Sequence, residues 1–366
     1  MEKNSKIYVA GHLGLVGSAL QRKLQEKGYK NIIGRSIDEL NLMDYHDTLK
    51  YFETEKPEYV FLAAAKVGGI IANNTYRAQF IYENLQIQNN IIHSAYMTGV
   101  KKLLFLGSSC IYPKNAPQPL KEDYLLTSGL EYTNEPYAIA KIAGIKMAES
   151  YNIQYGTNFI SVMPTNLFGP NDNYDLEKSH VLPAMIRKMH LANALDKNNW
   201  DVIRKDLNKK PVENVNGNSS ENDLLKILAK YGIKKDNGEV KLTLWGTGNP
   251  KREFLHSDDM ADACVFIMEN VDFKDILKNQ SKGDQPANEI KNTHINIGIG
   301  KDLTIRELAE IIKQITGFKG SILWDKNKPD GTMQKLLDVS KLKALGWGNK
   351  ICLEDGIRSV YQMYIA

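Results

Sequence analysis

Leu103-Leu104-Phe105-Leu106-Gly107-Ser108-Ser109-Cys110-Ile111-Tyr112-Pro113 is an apolar run that stops on a small, polar turn. Four large apolar residues without alternation read as a parallel strand buried on both faces. Ser108 then stands where the strand ends, at the carboxyl edge of a sheet, where open α/β folds bind ligands. Further on comes Glu135-Pro136-Tyr137-Ala138-Ile139-Ala140-Lys141. Tyr137 and Lys141 are four apart, so a helix puts them on one face. A hydroxyl, a phenol and an ammonium can then converge on one carbonyl oxygen. Tyr-x-x-x-Lys alone arises by chance; its weight comes from what lies upstream.

Upstream, Lys6-Ile7-Tyr8-Val9-Ala10 reads as a short strand. It runs into Gly11-His12-Leu13-Gly14-Leu15-Val16-Gly17 and then an amphipathic helix to about Glu26. Strand, Gly-x-x-Gly-x-x-Gly and helix make a dinucleotide cradle. The glycines allow the turn and close backbone approach, and the helix N-terminus faces the pyrophosphate. Gly11, Leu13, Gly14, Leu15, Val16 and Gly17 are the candidate cofactor contacts. A second strand, Asn31 to Gly34, ends at Arg35. An NAD site usually carries an acid there for the ribose hydroxyls. Arg35 suits a ribose 2′-phosphate, which points to NADP(H); on this residue alone, a solvated surface arginine is an equal reading. Asn41 and Leu42 follow as candidates for the adenine pocket. The third strand, Tyr59 to Leu62, ends in Ala63, Ala64 and Ala65, small enough for a cofactor to cross the sheet edge; Leu106 and Gly107 at the central strand's end are further candidate cofactor contacts. A loop from Lys66 to Ile70 and a long helix, roughly Thr75 to Thr98, lead back to the central strand.

The residue types suit carbonyl reduction. A ketone being reduced gathers charge on oxygen and needs a proton there. A free tyrosine has a pKa of about 10, poorly matched to neutrality. A nearby ammonium stabilises the phenolate, and a drop of about 3 units needs roughly 4 kcal/mol of differential interaction. Ser108 donates to the same oxygen.

Downstream, Phe159 to Met163 is another buried strand, followed by Pro164-Thr165-Asn166-Leu167. A smaller lobe begins there. Ser179-His180-Val181-Leu182-Pro183 opens a helix through His190. Residues 195–240 are rich in asparagine, lysine and aspartate and read as an inserted surface subdomain: a lid with mobile flanks or a tolerated insertion without function. Within it, Asn222 or Asp223 caps a helix closed by Gly232. Lys241 to Gly246 resumes as a strand, and Ser257-Asp258-Asp259 reads as the N-cap of a helix through Met268. The expected architecture is α/β: a Rossmann-type doubly wound parallel sheet with a smaller C-terminal α/β substrate lobe. Residues 1–166 form the dinucleotide-binding domain, with returns near 253–270 and 292–298. Residues 167–252 and 299–346 form the lobe, and 347–366 a closing helix.

At 366 residues the chain can bury a full α/β core and a second lobe. Its net charge of +4 and lack of a long basic run argue against nucleic acid. The polar start and the absence of a long apolar stretch argue against a signal peptide and a membrane span. Cys110, Cys264 and Cys352 are too widely spaced for a disulfide framework or a zinc site, so a reducing, cytoplasmic setting is expected and no metal.

The most specific strings are Ala63 to Asn74, Gly107 to Pro113, Asn134 to Lys146, Val162 to Leu167, Arg252 to His256 and Pro329 to Thr332. On these the chain resembles the extended short-chain dehydrogenases/reductases, and within them the GDP-L-fucose synthase family. The resemblance spans nearly the whole chain outside 195–240. It implies Ser108, Tyr137 and Lys141 as the reductase set and Cys110 and His180 as the epimerisation pair. It implies Ser109, Asn166, Lys188, Trp245, Arg252, Asp330 and Lys335 for the nucleotide-sugar, with Pro164, Asn166, Leu167 and His180 also toward the cofactor. The implied substrate is a GDP-linked 4-keto-6-deoxy sugar and the implied assembly a homodimer. Lys188 replaces a frequent arginine, which weakens bidentate phosphate binding. Leu13 replaces an arginine that helps hold the 2′-phosphate in many members, leaving Arg35 as the main cation.

The closest rival is a C4 reductase of a GDP-4-keto-6-deoxy-heptose, with or without epimerisation. A 4,6-dehydratase usually wants an acid near the serine, and Ser109-Cys110 offers none. A UDP-sugar 4-epimerase holding NAD fits poorly with Arg35. A non-catalytic NADP-binding sensor or scaffold would be expected to lose part of the Ser108, Tyr137, Lys141 set.

Overall fold

The computed structural model describes residues 1–278, 289–328 and 330–366; Pro329, in the string quoted above, lies outside them. Strands and helices are numbered along the chain. Two compact units emerge, one formed by Met1–Asn171, Glu253–Lys301 and Lys335–Cys352, the other by Asp172–Arg252, Asp302–Gln334 and Leu353–Ala366. The stretch 335–346, expected in the smaller lobe, thus packs with the first unit, and the closing helix belongs to the second.

In the first unit, β1 (Ile7–Ala10), β2 (Ile32–Ile33), β3 (Tyr59–Leu62), β4 (Lys102–Leu106), β5 (Phe159–Pro164) and β11 (Ile295–Ile297) form one parallel sheet, in the order β11-β5-β4-β3-β1-β2. Every residue of β1, β4 and β5 is buried. Successive residues serve opposite faces. Ile7, Val9, Leu104 and Leu106 join one core with Leu20 and Leu24 of α1 (Leu15–Glu26) and Met260, Cys264 and Ile267 of α9 (Ser257–Asn270). Tyr8, Leu103 and Phe105 join the other, with Phe52 of α2 (Tyr45–Glu55), Ile91 of α4 (Arg77–Met97) and Ile142 of α5 (Glu135–Tyr155). Two covered faces explain why these strands are solid apolar runs.

Several local expectations shift. The loop at Lys66 ends in a short helix, α3 (Ile70–Thr75), before α4 begins at Arg77. The N-cap of α9 is His256, whose Nδ1 accepts from Asp258 N at 3.2 Å, rather than Ser257 or the acids. A short pair, β6 (Asn166–Phe168) with β10 (Phe254–His256), runs parallel, while α10 (Phe273–Lys278) and α12 (Ser340–Ala344) complete this unit.

The second unit is built on β8 (Glu239–Trp245), flanked by antiparallel β7 (Ile233–Asp236) and parallel β13 (Ser321–Asp325). A smaller antiparallel pair joins β9 (Lys251–Arg252) and β12 (Leu303–Thr304). Its helices are α6 (Val181–Asp196), α7 (Trp200–Lys209), α8 (Glu221–Lys230), α11 (Ile305–Thr316) and α13 (Leu353–Ile365). Region 195–240 is folded within the second unit. Its Asn237-Gly238 turn, both residues at positive φ, closes the β7–β8 hairpin, and it buries Ile203, Leu207, Leu224, Leu228 and Ile233. Ser220 caps α8, in place of the expected Asn222 or Asp223. Arg187 of α6, 1 % exposed, donates to Asp206 of α7 from Nε (3.0 Å) and Nη2 (2.9 Å). It also donates to Tyr174 O, and Tyr364 of α13 donates to Asp206.

Candidate active site

The glycine cradle is tight. Gly11 has φ +81°, and a Cβ there would stand 2.8 Å from the Ala64 backbone. A Cβ on Gly17 would meet Gly11 O at 2.0 Å, so only glycine lets α1 start this close to β1. Gly14 precedes α1 without a side-chain cap, and no acid occupies its first turn. Those open N–H groups and the aligned peptide dipoles suit a pyrophosphate. A dinucleotide therefore fits the residues present. Leu13 is exposed, while Leu15, Val16 and Ala63 to Ala65 are half-buried. Arg35 is also half-buried: Nη2 donates to Glu55 Oε1 at 3.0 Å, Nη1 donates to Gly34 O, and the guanidinium lies over Tyr51. Asn41 Oδ1 accepts from Met43 N, and Leu42 O accepts from Asn90 Nδ2, which ties this edge to α4.

At the end of β4, Ser108 is extended (φ −161°) and caps the single helical turn Ser109–Ile111, its Oγ accepting from Cys110 N at 3.3 Å. Tyr137, near the start of α5, has the Ser108 side chain close enough to oppose the effect of burial on its phenol, and its ring packs edge-on against Phe80. Lys141, 3 % exposed, lies one turn on, with Nζ 5.7 Å from the Tyr137 ring centroid and 2.8 Å from Leu106 O, to which it donates. Ser108, Cys110, Tyr137 and Lys141 thus gather at one strand end. Ser109 is buried beside them.

The electrostatics differ from the expectation that the lysine drags the phenol down. Burial dominates: it pushes the Tyr137 phenol well up, with the Ser108 side chain opposing, and it brings the Lys141 ammonium down to about 8. Lys141 spends its hydrogen bond on Leu106 O. A phenol raised in this way stays protonated near neutrality, the state required of a proton donor. Burial also raises the Cys110 thiol, opposed chiefly by the Lys335 ammonium, then by the Ser108 hydrogen bond and by Lys141. Pro164 ends β5, and Asn166 opens β6, its Nδ2 donating to Glu253 O at 2.9 Å, with Leu167 next.

The remaining candidates belong to the second unit. His180 is exposed and immediately precedes α6. Lys188 projects from α6 in half-buried surroundings that lower it to about 8. Trp245 ends β8 and is 54 % exposed, with Lys328 Nζ 5.2 Å above its ring. Asp330 is engaged internally. Its two oxygens accept from Thr247 N (2.7 Å) and Thr247 Oγ1 (2.8 Å), and it faces the Arg252 guanidinium electrostatically. A Cβ on Gly246 would meet Asp330 Oδ1 at 2.3 Å, so this loop closes only around glycine. The geometry makes Asp330 a support for the Trp245 and Arg252 loop. The residues sequence reasoning missed are Glu253 and Thr247, whose bonds are long-range and leave no local pattern.

The model of the NAD dependent epimerase/dehydratase family matches residues 7–206 and 212–298. The chain belongs to that family. GDP-L-fucose synthase 1 of Arabidopsis thaliana is 50 % identical over 364 residues, 100 % of this chain and 94 % of that protein. Two solved Campylobacter jejuni structures are each 45 % identical and match over 100 % of both chains. One is a GDP-D-glycero-L-gluco-heptose synthase in the presence of NADPH (TM-score 0.90). The other is a GDP-mannoheptose C4 reductase with NADP bound (TM-score 0.86). Among the described residues, no helix is long and apolar enough to cross a membrane.

Proposed function

We propose that this member of the family is an NADPH-dependent enzyme acting on a GDP-linked 4-keto-6-deoxy sugar, converting GDP-4-keto-6-deoxy-D-mannose to GDP-L-fucose by epimerisation at C3 and C5 and reduction at C4. The gathering of Ser108, Cys110, Tyr137 and Lys141 at the end of β4 carries the reading. The protons flanking a C4 ketone are acidic. Ser108 and Tyr137 hydrogen-bond the ketone oxygen and stabilise the enolate formed when one is removed. Cys110 and His180 take and return the C3 and C5 protons. Bound NADPH supplies hydride at C4. Tyr137, held protonated by burial, then gives its proton to the same oxygen. Epimerisation comes first, because reduction removes the ketone that acidifies the flanking protons. Lys188 and Arg252 meet the diphosphate and Trp245 the base.

A GDP-4-keto-heptose is the second reading, favoured by the two heptose enzymes whose folds this chain matches at TM-scores of 0.90 and 0.86. Exposed apolar side chains on α4 and α5 (Tyr82, Met97, Ile139, Ile153 and Tyr155) support a homodimer through that face, checked by ultracentrifugation. Cys110 and Cys264 are buried thiols rather than halves of a disulfide, which suits a cytoplasmic setting.

The test is turnover of GDP-4-keto-6-deoxy-D-mannose with NADPH in D2O, followed by product NMR. NADPH oxidation with deuterium at C3 and C5 is expected. Oxidation without deuterium reduces the proposal to a C4 reductase, and turnover of only the heptose analogue transfers it to the second reading.

A further inference from the structure

Glu253 has zero exposure and forms no ion pair among the described residues. Its charge is met by main-chain dipoles. Oε1 accepts from Ile299 N at 2.6 Å and Gly300 N at 2.7 Å, and Oε2 accepts from Leu337 N at 3.1 Å. Its own carbonyl accepts from Asn166 Nδ2 and from Thr165 Oγ1. A Cβ on Gly298 would stand 2.4 Å from Oε1, so the loop after β11 can close over this carboxylate only as glycine. The side chain thus joins the loop after β11 to the strap Lys335–Asp338, and the main-chain carbonyl of the same residue holds the start of β6.

The strap is fastened a second time. Leu336 N donates to Gln118 Oε1 at 2.9 Å, Leu120 N to Leu336 O at 2.7 Å and Asp338 N to Leu120 O at 2.9 Å. Asn296 Nδ2 donates to Leu120 O and Asp338 O, while Tyr112 donates to Asn296 Oδ1. Tyr112 is two residues beyond Cys110, so these bonds connect the strap that begins at Lys335 to the turn that carries the thiol.

We propose that Glu253 is a positioning residue for proton exchange: by accepting from Leu337 N it sets where Lys335 stands relative to Cys110. Burial sets the direction of the Cys110 shift, and the Lys335 ammonium is the largest influence opposing it, so moving that ammonium changes how readily the thiol ionises. The buried carboxylate is retained because no neutral side chain can accept at both ends. In Glu253→Gln, one oxygen becomes an NH2 group, and either the Ile299 and Gly300 amides or the Leu337 amide then faces a donor. The functional consequence rests on Cys110 being a proton exchanger, but the effect on its ionisation does not.

The test is an ultraviolet difference titration of the Cys110 thiolate in the NADP-bound enzyme, with a Cys110→Ala variant as the blank, alongside deuterium uptake and NADPH oxidation. Glu253→Gln should move the thiol midpoint upward by about 1 pH unit and slow deuterium uptake by about tenfold more than hydride transfer. Lys335→Met should produce the same shift, and the double variant should add little. Glu253→Asp, which cannot span both groups of amides, replaces Glu253→Gln if that variant does not fold. A titration unmoved by either Glu253 variant while Lys335→Met shifts it would overturn the role of Glu253, and a titration unmoved by Lys335→Met would overturn the role of the strap. A shifted titration with no deuterium uptake even in the unaltered enzyme would leave the positioning intact and remove the epimerase reading.

Discussion

The strand-end cluster of the first unit and the recognition residues of the second are built differently. Ser108, Cys110, Tyr137 and Lys141 lie within one turn and one helix start, Ser108 accepts from Cys110 N, Lys141 donates to main chain, and Cys110 and Lys141 are buried. Trp245 is exposed and Lys188 and Arg252 are half-buried, Trp245 and Arg252 at strand ends and Lys188 within α6. Chemistry needs fixed donors in a dry place, whereas recognition needs groups that still face a ligand. Substitutions in the first set should therefore act on kcat and those in the second on KM.

The largest effect should come from Tyr137→Phe, which removes the proton donor and leaves the packing: kcat falls by about 10³-fold while KM and melting temperature barely move. A variant that keeps full activity would erase the distinction. Next is Arg187→Met, which strands Asp206 in the buried pair with α7. Urea unfolding should show a loss of roughly 3–5 kcal/mol, and normal stability would mean region 195–240 is not bound to α6 as described. Lys188→Met should raise KM for the nucleotide-sugar by about 10–100-fold at near-constant kcat, and Lys188→Arg should lower KM through bidentate contact. The pH profile sharpens the comparison further. Lys141, lowered by burial to about 8, loses its charge above that pH, so kcat should fall by about fivefold between pH 8 and 9. Because this lysine sits below its unfolded value, the folded chain binds fewer protons than the unfolded one between about 8 and 10.5. Its contribution to stability therefore rises over that range while activity declines. The smallest effect is Ser220→Ala, which removes the cap of α8 and costs about 1 kcal/mol without altering either kinetic constant.

What could be read from the chain follows the same division. The glycine cradle and the buried runs of β1, β4 and β5 were legible because steric need and two-faced burial act over a few residues. The Tyr137–Lys141 spacing was legible because a helix converts four residues into one face. The direction of the phenol's shift was not, since it depends on burial by distant elements. Glu253 reaches Leu337 across 84 residues and Arg187 reaches Asp206 across 19, so neither bond leaves a local pattern. His256 took the cap of α9 from the Ser257-Asp258-Asp259 run because its ring nitrogen reaches Asp258 N. Residues 195–240 looked loose by composition, yet β7 finds its partner through the Asn237-Gly238 turn and α7 through a buried arginine.

The sheet order has a consequence during synthesis. β11 pairs with β5, but about 130 residues separate them in the chain. At ribosomal rates of roughly 5–20 residues per second, β5 emerges some 7–26 seconds before the strand that covers its outer edge. The whole of Asp172–Arg252 is made in that interval. For this time the nascent chain presents an apolar strand with unpaired amides and carbonyls, a template for pairing with another chain. A ribosome-bound fragment ending near residue 200 should therefore recruit chaperones or associate with itself, and one extending past Ile297 should not.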